Sequence, residues 1–586
     1  MADNNTTQQL QAIQALNGLA GGAIGLGAIY GLIQLTQGLS SAPKPQTKVY
    51  RQAIPPKFRA YGKCKYGGPL AFFGTDTNIN RLFMIVMNHY GRMNRVISHY
   101  FNDDALGLVG GTGADYNTDA DVVTSPAHYH DGGRWCRIDT KLGADDQTSF
   151  ERLNISGNDG TERLMPNVWT VDHRLRGIAA TLIILLCPES DKFSNVFPYG
   201  PPEYSQIGEY SLVYDPRDTA QNRADKNTWK YTTNWACCFL DYLTHPAGLA
   251  LPWEFFSGAL DVWRAQADIC DRVRQLKNGG SELWYQVSGG YALTEQPKDV
   301  IAKFMAAADA WLYLRGDGQI VPNVADFSEP DVTLTDDDIL DWGGFARSKD
   351  PAEIVNIINA KFINPRAGFE ETQTDPIKNE ASAAANGDHT KSLDHTFVST
   401  HAQSWFLERI EAVRGDPEWS GEIVTNANGL RCLDRRNVRI NSVRHGFNAV
   451  FEITDGPNLD IMTGNCTMTV SAMPVATTSW NSQTDGGTEP IATWFDDAAQ
   501  PDVPINLKVT VSNRVMTATW DPPLDSGATP QLSYGPYNSD SGWTNFPTIN
   551  KDGHTASTTT LSAGLYSVVM SYGGSRGAYV ERIIVS

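Results

Sequence analysis

The residues best suited to chemistry are His99 and Asp103 in "SHYFND", followed by His128 and His130 in "HYH". Two imidazoles two positions apart on a strand share a face, and a carboxylate would complete a zinc site with one open position. A second group, Asp388, His389, Asp394, His395 and His401, has the side chains of a metal site but lies in a polar stretch, where such groups are commonly solvated.

The first set superficially matches the HxxxD and HxH ligands of zinc endopeptidases that cut peptidoglycan cross-links. "VISHYFNDD" has none of that family's glycines, however, and "HYHDGG" has no flanking hydrophobic strand pattern. These histidines are therefore expected at the surface or at strand ends, with no metal held. No Walker lysine loop and no cysteine in the setting of a cell-wall peptidase nucleophile is present. The acidic run in "TLTDDDIL" reads as a helix start, where negative charge favours the dipole, rather than as a calcium loop. No catalytic residue, cofactor or metal is expected, and the chain does not read as an enzyme.

The elements that would carry any site come from a chain of 586 residues, long enough for roughly three or four units. With 41% hydrophobic and 19% charged residues it is an ordinary folded protein. A net charge of -19 argues against wrapping nucleic acid, although an acidic wall that DNA slides past without sticking is compatible. The 8 cysteines show no CxxC and read as reduced, mostly buried thiols, with Cys237 and Cys238 in the core of a helix.

The stretch Gly18–Ile33, "GLAGGAIGLGAIYGLI", is uncharged, and no basic residue precedes Lys44, which speaks against a secretory signal. Leu16–Leu35 barely reaches the ~20 apolar residues of a membrane span. Gly18, Gly21, Gly22, Gly25, Gly27 and Gly31 include pairs at i,i+4 spacing that let another backbone approach a helix closely. Packing in a protein assembly, membrane contact and a flexible lead are the three readings.

After the linker "SSAPKPQTK", short apolar runs such as "LAFFGT", "RLFMIVMNHY", "NRVISHYF" and "GIAATLIILLC" give a β-rich stretch. "NTWKYTTNWACCFLDYLTHP", "SGALDVWRAQADICDRVRQL" and "PKDVIAKFMAAADAWLYL" have helical spacing. A strand at "AEIVNIINAKF", a polar loop from "EETQTD" to "SLDHT" and a helix "THAQSWFLERIEAV" follow. The expected fold is multidomain α+β, β-rich, with a helical insertion. Its divisions are 1–45 (Gly-rich hydrophobic helical segment), 46–200 (β-rich), 201–340 (helical and mixed), 341–490 (mixed α/β) and 491–586. The last division resembles a fibronectin type III β-sandwich, with Trp520 near the end of strand B and a corner of Leu561, Gly564 and Tyr566.

Read in order, "RQAIPPKFRAYGKCKYGG", "KLGADDQ", "VDHRLRGIAATLI", "VYDPRD", "NWACCFLDYLTHPAGLALPWEFF", "TLTDDDI" and "GLRCLDRRNVRI" resemble the tail-tip hub, or J-like host-specificity, proteins of long-tailed phages and gene-transfer particles. The resemblance covers about residues 45 to 480. It implies a virion protein at the distal end of the tail, a homotrimer whose paired β-barrel-like hub domains close the tail tube around a channel that DNA crosses. The partners it implies are the distal tail protein and the tape-measure protein C-terminus. Three copies of Leu16–Leu35 would pack together or against the tape measure in the lumen. Larger members continue into several fibronectin-like modules and a central fibre. With one such module here, a separate fibre or spike protein is expected to attach at it. The alternatives are a tail-borne metal-dependent cell-wall peptidase and a membrane-anchored adhesin in contact with the host envelope.

Overall fold

The computed structural model describes residues 57–488 and 507–586, apart from 76–80, 103, 110–119, 125–134, 151–152, 154–167, 189–192, 198–199, 278, 316, 348, 350, 352, 521–529, 537–543, 552 and 573–577. The chain is β-rich and multidomain. It divides into two compact units, one taking in Lys65–Gly208 and Gln500–Ser586, the other Phe58–Cys64 and Glu209–Ala499.

In the first unit the runs "RLFMIVM" and "IAATLIILL" are unbroken because both their faces are covered. Arg81–Tyr90 and Ile178–Leu186 pair antiparallel, with Leu182 opposite Ile85 and Ile183 opposite Met84. Side chains alternate across a strand. Phe83, Ile85, Leu182 and Ile184 therefore join Phe150, Leu153 and Trp169 in one core. Met84, Val86, Ile183 and Leu185 join Phe101, Val196, Phe197 and Tyr204 in another. Leu70–Thr75 extends this sheet on one side; Cys136–Leu142, Ala120–Thr124 and Gly107–Val109 extend it on the other.

Residues 507–586 form two four-stranded antiparallel sheets around one core. One holds Lys508–Ser512, Val515–Thr519, Thr555–Ser557 and Thr548–Asn550; the other holds Thr544–Asn545, Pro530–Pro536, Gly564–Tyr572 and Ala578–Val585. Trp520 is buried in that core, and the Tyr566 hydroxyl donates to the Ser562 carbonyl at 3.2 Å.

The second unit combines helices with sheets. Trp235–Thr244 is buried along every residue from Trp235 to Leu243, as its lack of a polar face requires. Asn234 caps it by accepting from the Ala236 and Cys237 amides. Trp235, Phe239, Phe304 and Phe397 pack in sequence, tilted or edge-to-face, with ring centroids 5.0 to 5.1 Å apart. Leu260–Cys270 and Pro297–Ala308 are shorter than their periodicity suggests, and strands Val273–Gln275 and Trp311–Leu314 follow them. Asp309 ends the second helix in the left-handed region, φ 43°.

A seven-stranded sheet runs in the order Thr333–Thr335, Asn437–Ser442, Phe447–Asp460, Asn465–Ala472, Trp419–Thr425, Ile339–Asp341, with Ala346–Arg347 also on Trp419–Thr425. The acidic run in "TLTDDDIL" therefore starts no helix. It is the turn between the sheet's first and last strands, closed by the Asp338 amide donating to the Thr335 carbonyl at 3.0 Å. The expected polar loop after residue 369 is also structured: Glu370–Gln373, Ile377–Lys378 and Thr390–His395 pair with Ile357–Asn364, and Glu380–Asn386 is a helix.

A charge quartet joins these parts. Arg414, at the end of the His401–Gly415 helix, bonds Asp309 at 2.6 and 2.7 Å and Glu452 at 2.7 and 2.9 Å. Arg436 bonds Glu452 at 3.1 Å and both the carboxylate and the carbonyl of Asp309. Burial alone would raise the Asp309 carboxyl, but the two guanidiniums outweigh it and hold it below the usual carboxylate range. Glu452 is 0% exposed. Glu452→Ala leaves the buried Arg436 and the partly buried Arg414 with Asp309 as their shared carboxylate, so it should cost about 3–5 kcal/mol in urea unfolding followed by tryptophan fluorescence. A loss of under about 1 kcal/mol, the scale of an exposed pair, would contradict this account.

Candidate functional site

His99 lies in the strand Met93–Phe101 and is 1% exposed, so it is neither a surface nor a strand-end residue. Its Nδ1 is 2.6 Å from the Tyr204 hydroxyl, which donates to Gln206 Oε1 at 2.8 Å. Thr181 Oγ1 lies 3.2 Å from the same hydroxyl and 2.9 Å from Thr140 Oγ1, and accepts from Asn88 Nδ2 at 2.6 Å. This is a buried polar network, and burial pushes the Tyr204 phenol well up. Asn88 and Thr181, polar residues inside apolar strand runs, were the available sequence signal. Asp103, His128 and His130 lie outside the described residues.

The second group is dispersed over several elements. Asp388 is exposed and pairs with Lys378 at 3.4 Å. The His389 ring lies against the Asn386 carbonyl at 3.1 Å. His395 closes its strand in a buried position with Nδ1 2.8 Å from Ser404 Oγ, and burial lowers its pKa to about 4. His401 begins the next helix, its ring 5.8 Å from Phe362. Asp394 is exposed. Among the described residues no three His, Cys, Asp or Glu gather to hold a metal ion. All the cysteines are free, and all but Cys187 are buried.

The segments that carry the hub resemblance meet one another. Arg59 of "FRAY" pairs with Asp241 of "NWACCFLDYL" at 2.6 Å, and Tyr61 donates to the same oxygen at 2.7 Å. Burial would raise Asp241, but Arg59 outweighs it and keeps the carboxyl low. Gln147 of "KLGADDQ" accepts from the Gly143 amide at 2.7 Å and donates to the carbonyls of Arg174 and Leu175 in "VDHRLRG". Gly143, at φ 84°, could carry no side chain, because a Cβ would sit 2.4 Å from the Gly91 carbonyl oxygen. In "VYDPRD", Arg217 forks onto Asp215 and reaches Asp268 at 3.0 Å and Asp271 at 2.6 Å. Asp336 accepts from Ser442 Oγ at 2.6 Å and the Arg444 amide at 3.0 Å; Asp338 accepts from Asn428 at 2.6 Å. Each of these groups ties one backbone segment to another.

Gly18, Gly21, Gly22, Gly25, Gly27 and Gly31 lie outside the described residues. Among the described residues no helix is long and apolar enough to cross a membrane.

One titratable residue escaped sequence reasoning. Glu408 falls on the buried face of the His401–Gly415 helix and accepts from the Thr374 hydroxyl. Burial raises its pKa to about 8 despite that hydrogen bond, and Asp375 adds to the rise. A native pKa above the unfolded value of 4.5 means its contribution is fully present below about pH 4.5 and lost as pH climbs through about 8. Glu408→Gln should therefore melt higher than the parent at about pH 9, with the gain shrinking toward about pH 5. Equal shifts at both pH values in paired thermal melts would refute this.

No family model matches the chain, and no curated protein matches it. Among solved structures it is similar to a chain of the virion of a native gene transfer agent particle, at 13% identity and a TM-score of 0.44, over 80% of this chain and 98% of that one. It is also similar to the 43 kDa tail protein of prophage MuSo2 from Shewanella oneidensis, at 8% identity and a TM-score of 0.24, over 73% and 100% of the two chains. The tail protein from Neisseria meningitidis MC58 aligns at 11% identity and a TM-score of 0.23, over 71% and 96%.

Proposed function

We propose that the chain is a structural subunit of a phage-type tail tip, a hub that closes the distal end of the tail tube. In this reading it is a homotrimer that links the distal tail protein and the tape-measure protein C-terminus to a separate fibre or spike protein, and it gates DNA exit. The observation that carries the reading is the use its resemblance segments make of their polar groups. Arg59 and Asp241, Gln147 and the Arg174 carbonyl, and Asp336 and Ser442 brace strands and helices. They do not converge on a nucleophile and base around an open reacting centre. Such bracing suits a ring that bears load.

The two sheets of residues 507–586, with Trp520 in their core and the Tyr566 hydroxyl bonded four residues back, support a fibronectin type III-like module for attaching the fibre or spike. The net charge of -19 suits a channel that DNA crosses without sticking. Gly18 to Gly31 would pack between subunits or against the tape measure.

Immunogold electron microscopy of particles from the source culture, with antibody raised against residues 507–586, tests the proposal. Label confined to the tips of long tails is the expected result. Label on cell envelopes beside bare particles would replace the hub with a membrane-anchored adhesin.

A further inference from the structure

An open groove of about 760 Å³ lies between the C-terminal half of the His401–Gly415 helix and the strands that begin at Trp419, Asn437 and Phe447. Its size falls within the range of small-molecule sites. Its lining includes the apolar residues Ala412, Val413, Ala449 and Val475. Trp419 and Phe447, with ring centroids 5.0 Å apart, are half-buried, and Phe345 stacks on Trp419 at 5.7 Å and 12°. The aromatic wall is thus rigid before any ligand arrives.

The charged lining balances: Glu329, Asp416 and Glu418 stand against Lys378, Arg409 and Arg439. These groups already have partners. Arg439 pairs with Glu329 and donates to Asn448 Oδ1 at 2.9 Å; Asn379 donates to Asp416 at 3.0 Å; Arg409 pairs with Asp485 at 2.7 Å. A ligand carrying net charge gains nothing from a neutral lining. A hydroxyl both donates and accepts, so it can enter a partly exposed ion pair without stranding either charge. A peptide adding as a strand finds no place, because the three bordering strands are each paired on both sides.

We infer that this groove binds a neutral oligosaccharide of roughly two or three rings, with C–H faces against Trp419 and Phe447 and hydroxyls among the Arg439, Glu329 and Asn448 groups. The inference rests on the groove alone. Failure of sugar binding would leave the tail-tip reading standing, and absence from tails would leave the groove.

The test is isothermal titration of the full chain with chitotriose, maltotriose and cellotriose, with a heparin-derived tetrasaccharide as the anionic comparison. At least one neutral trisaccharide should bind saturably, with a dissociation constant on the order of 1 mM or tighter. Ala412→Trp, which fills the groove, and Asn448→Ala, an exposed change that spares the core, should each weaken binding by about 10-fold or more. Matching thermal melts of Asn448→Ala and the parent separate lost contacts from lost folding. The inference is overturned if no neutral sugar saturates, if Asn448→Ala binds as the parent does, or if the heparin fragment binds more tightly than every neutral sugar.

Discussion

Two guanidiniums and two carboxylates, those of Arg414, Arg436, Asp309 and Glu452, set the geometry of the helical unit. Charges taken out of water must each find partners, or the penalty exceeds anything packing returns. That demand leaves little freedom. The Pro297–Ala308 helix must stop where Asp309 can face both arginines, and its left-handed φ of 43° is the backbone adjustment that permits this. The His401–Gly415 helix must extend to Arg414, and the long strand from Phe447 must turn Glu452 inward. Trp311 and Phe327 lie against Arg436 at 4.8 and 4.9 Å, so even the start of the next strand is fixed by the same cation. The net contribution to stability is modest beside that of an apolar core. What the quartet supplies is one arrangement of two helices and a sheet rather than several.

The helices were legible where their pattern was local. "WACCFLDYL" is apolar except at Asp241 and is buried on all sides; "SWFLERI" shows its face by spacing. What could not be read were features set by partners far along the chain. The acidic run at 336–338 resembles a helix start because its local neighbours are typical of one, yet its partners Asn428, Ser442 and Arg444 lie about a hundred positions away. The stretch after residue 369 looked like a loop because its strands are half-exposed and polar, and only Ile357–Asn364, the strand they share, supplies the apolar alternation. Of the candidate chemistry, residue types were visible but burial was not. His99 and His395 proved to be interior hydrogen-bonding groups, and the burial of Glu408 leaves no mark in its local sequence.

The two units solve the problem of a large β content differently. In the first, a sheet is covered on both faces, so its central strands are mostly apolar, and the Asn88 amide nitrogen, Thr181, Thr140 and Tyr204 bond one another inside it. In the second, each strand of the seven-stranded sheet pairs with its neighbours around a single core, and Glu452 on one strand meets Arg414 of the His401–Gly415 helix.

The order of that seven-stranded sheet has a mechanical consequence. Its outermost strands, Thr333–Thr335 and Ile339–Asp341, are three residues each and are joined directly by the acidic turn. Short edges offer an incoming strand almost no backbone to pair with. The sheet therefore exposes little of its own ladder for strand addition, which guards this part of the fold against edge-to-edge pairing.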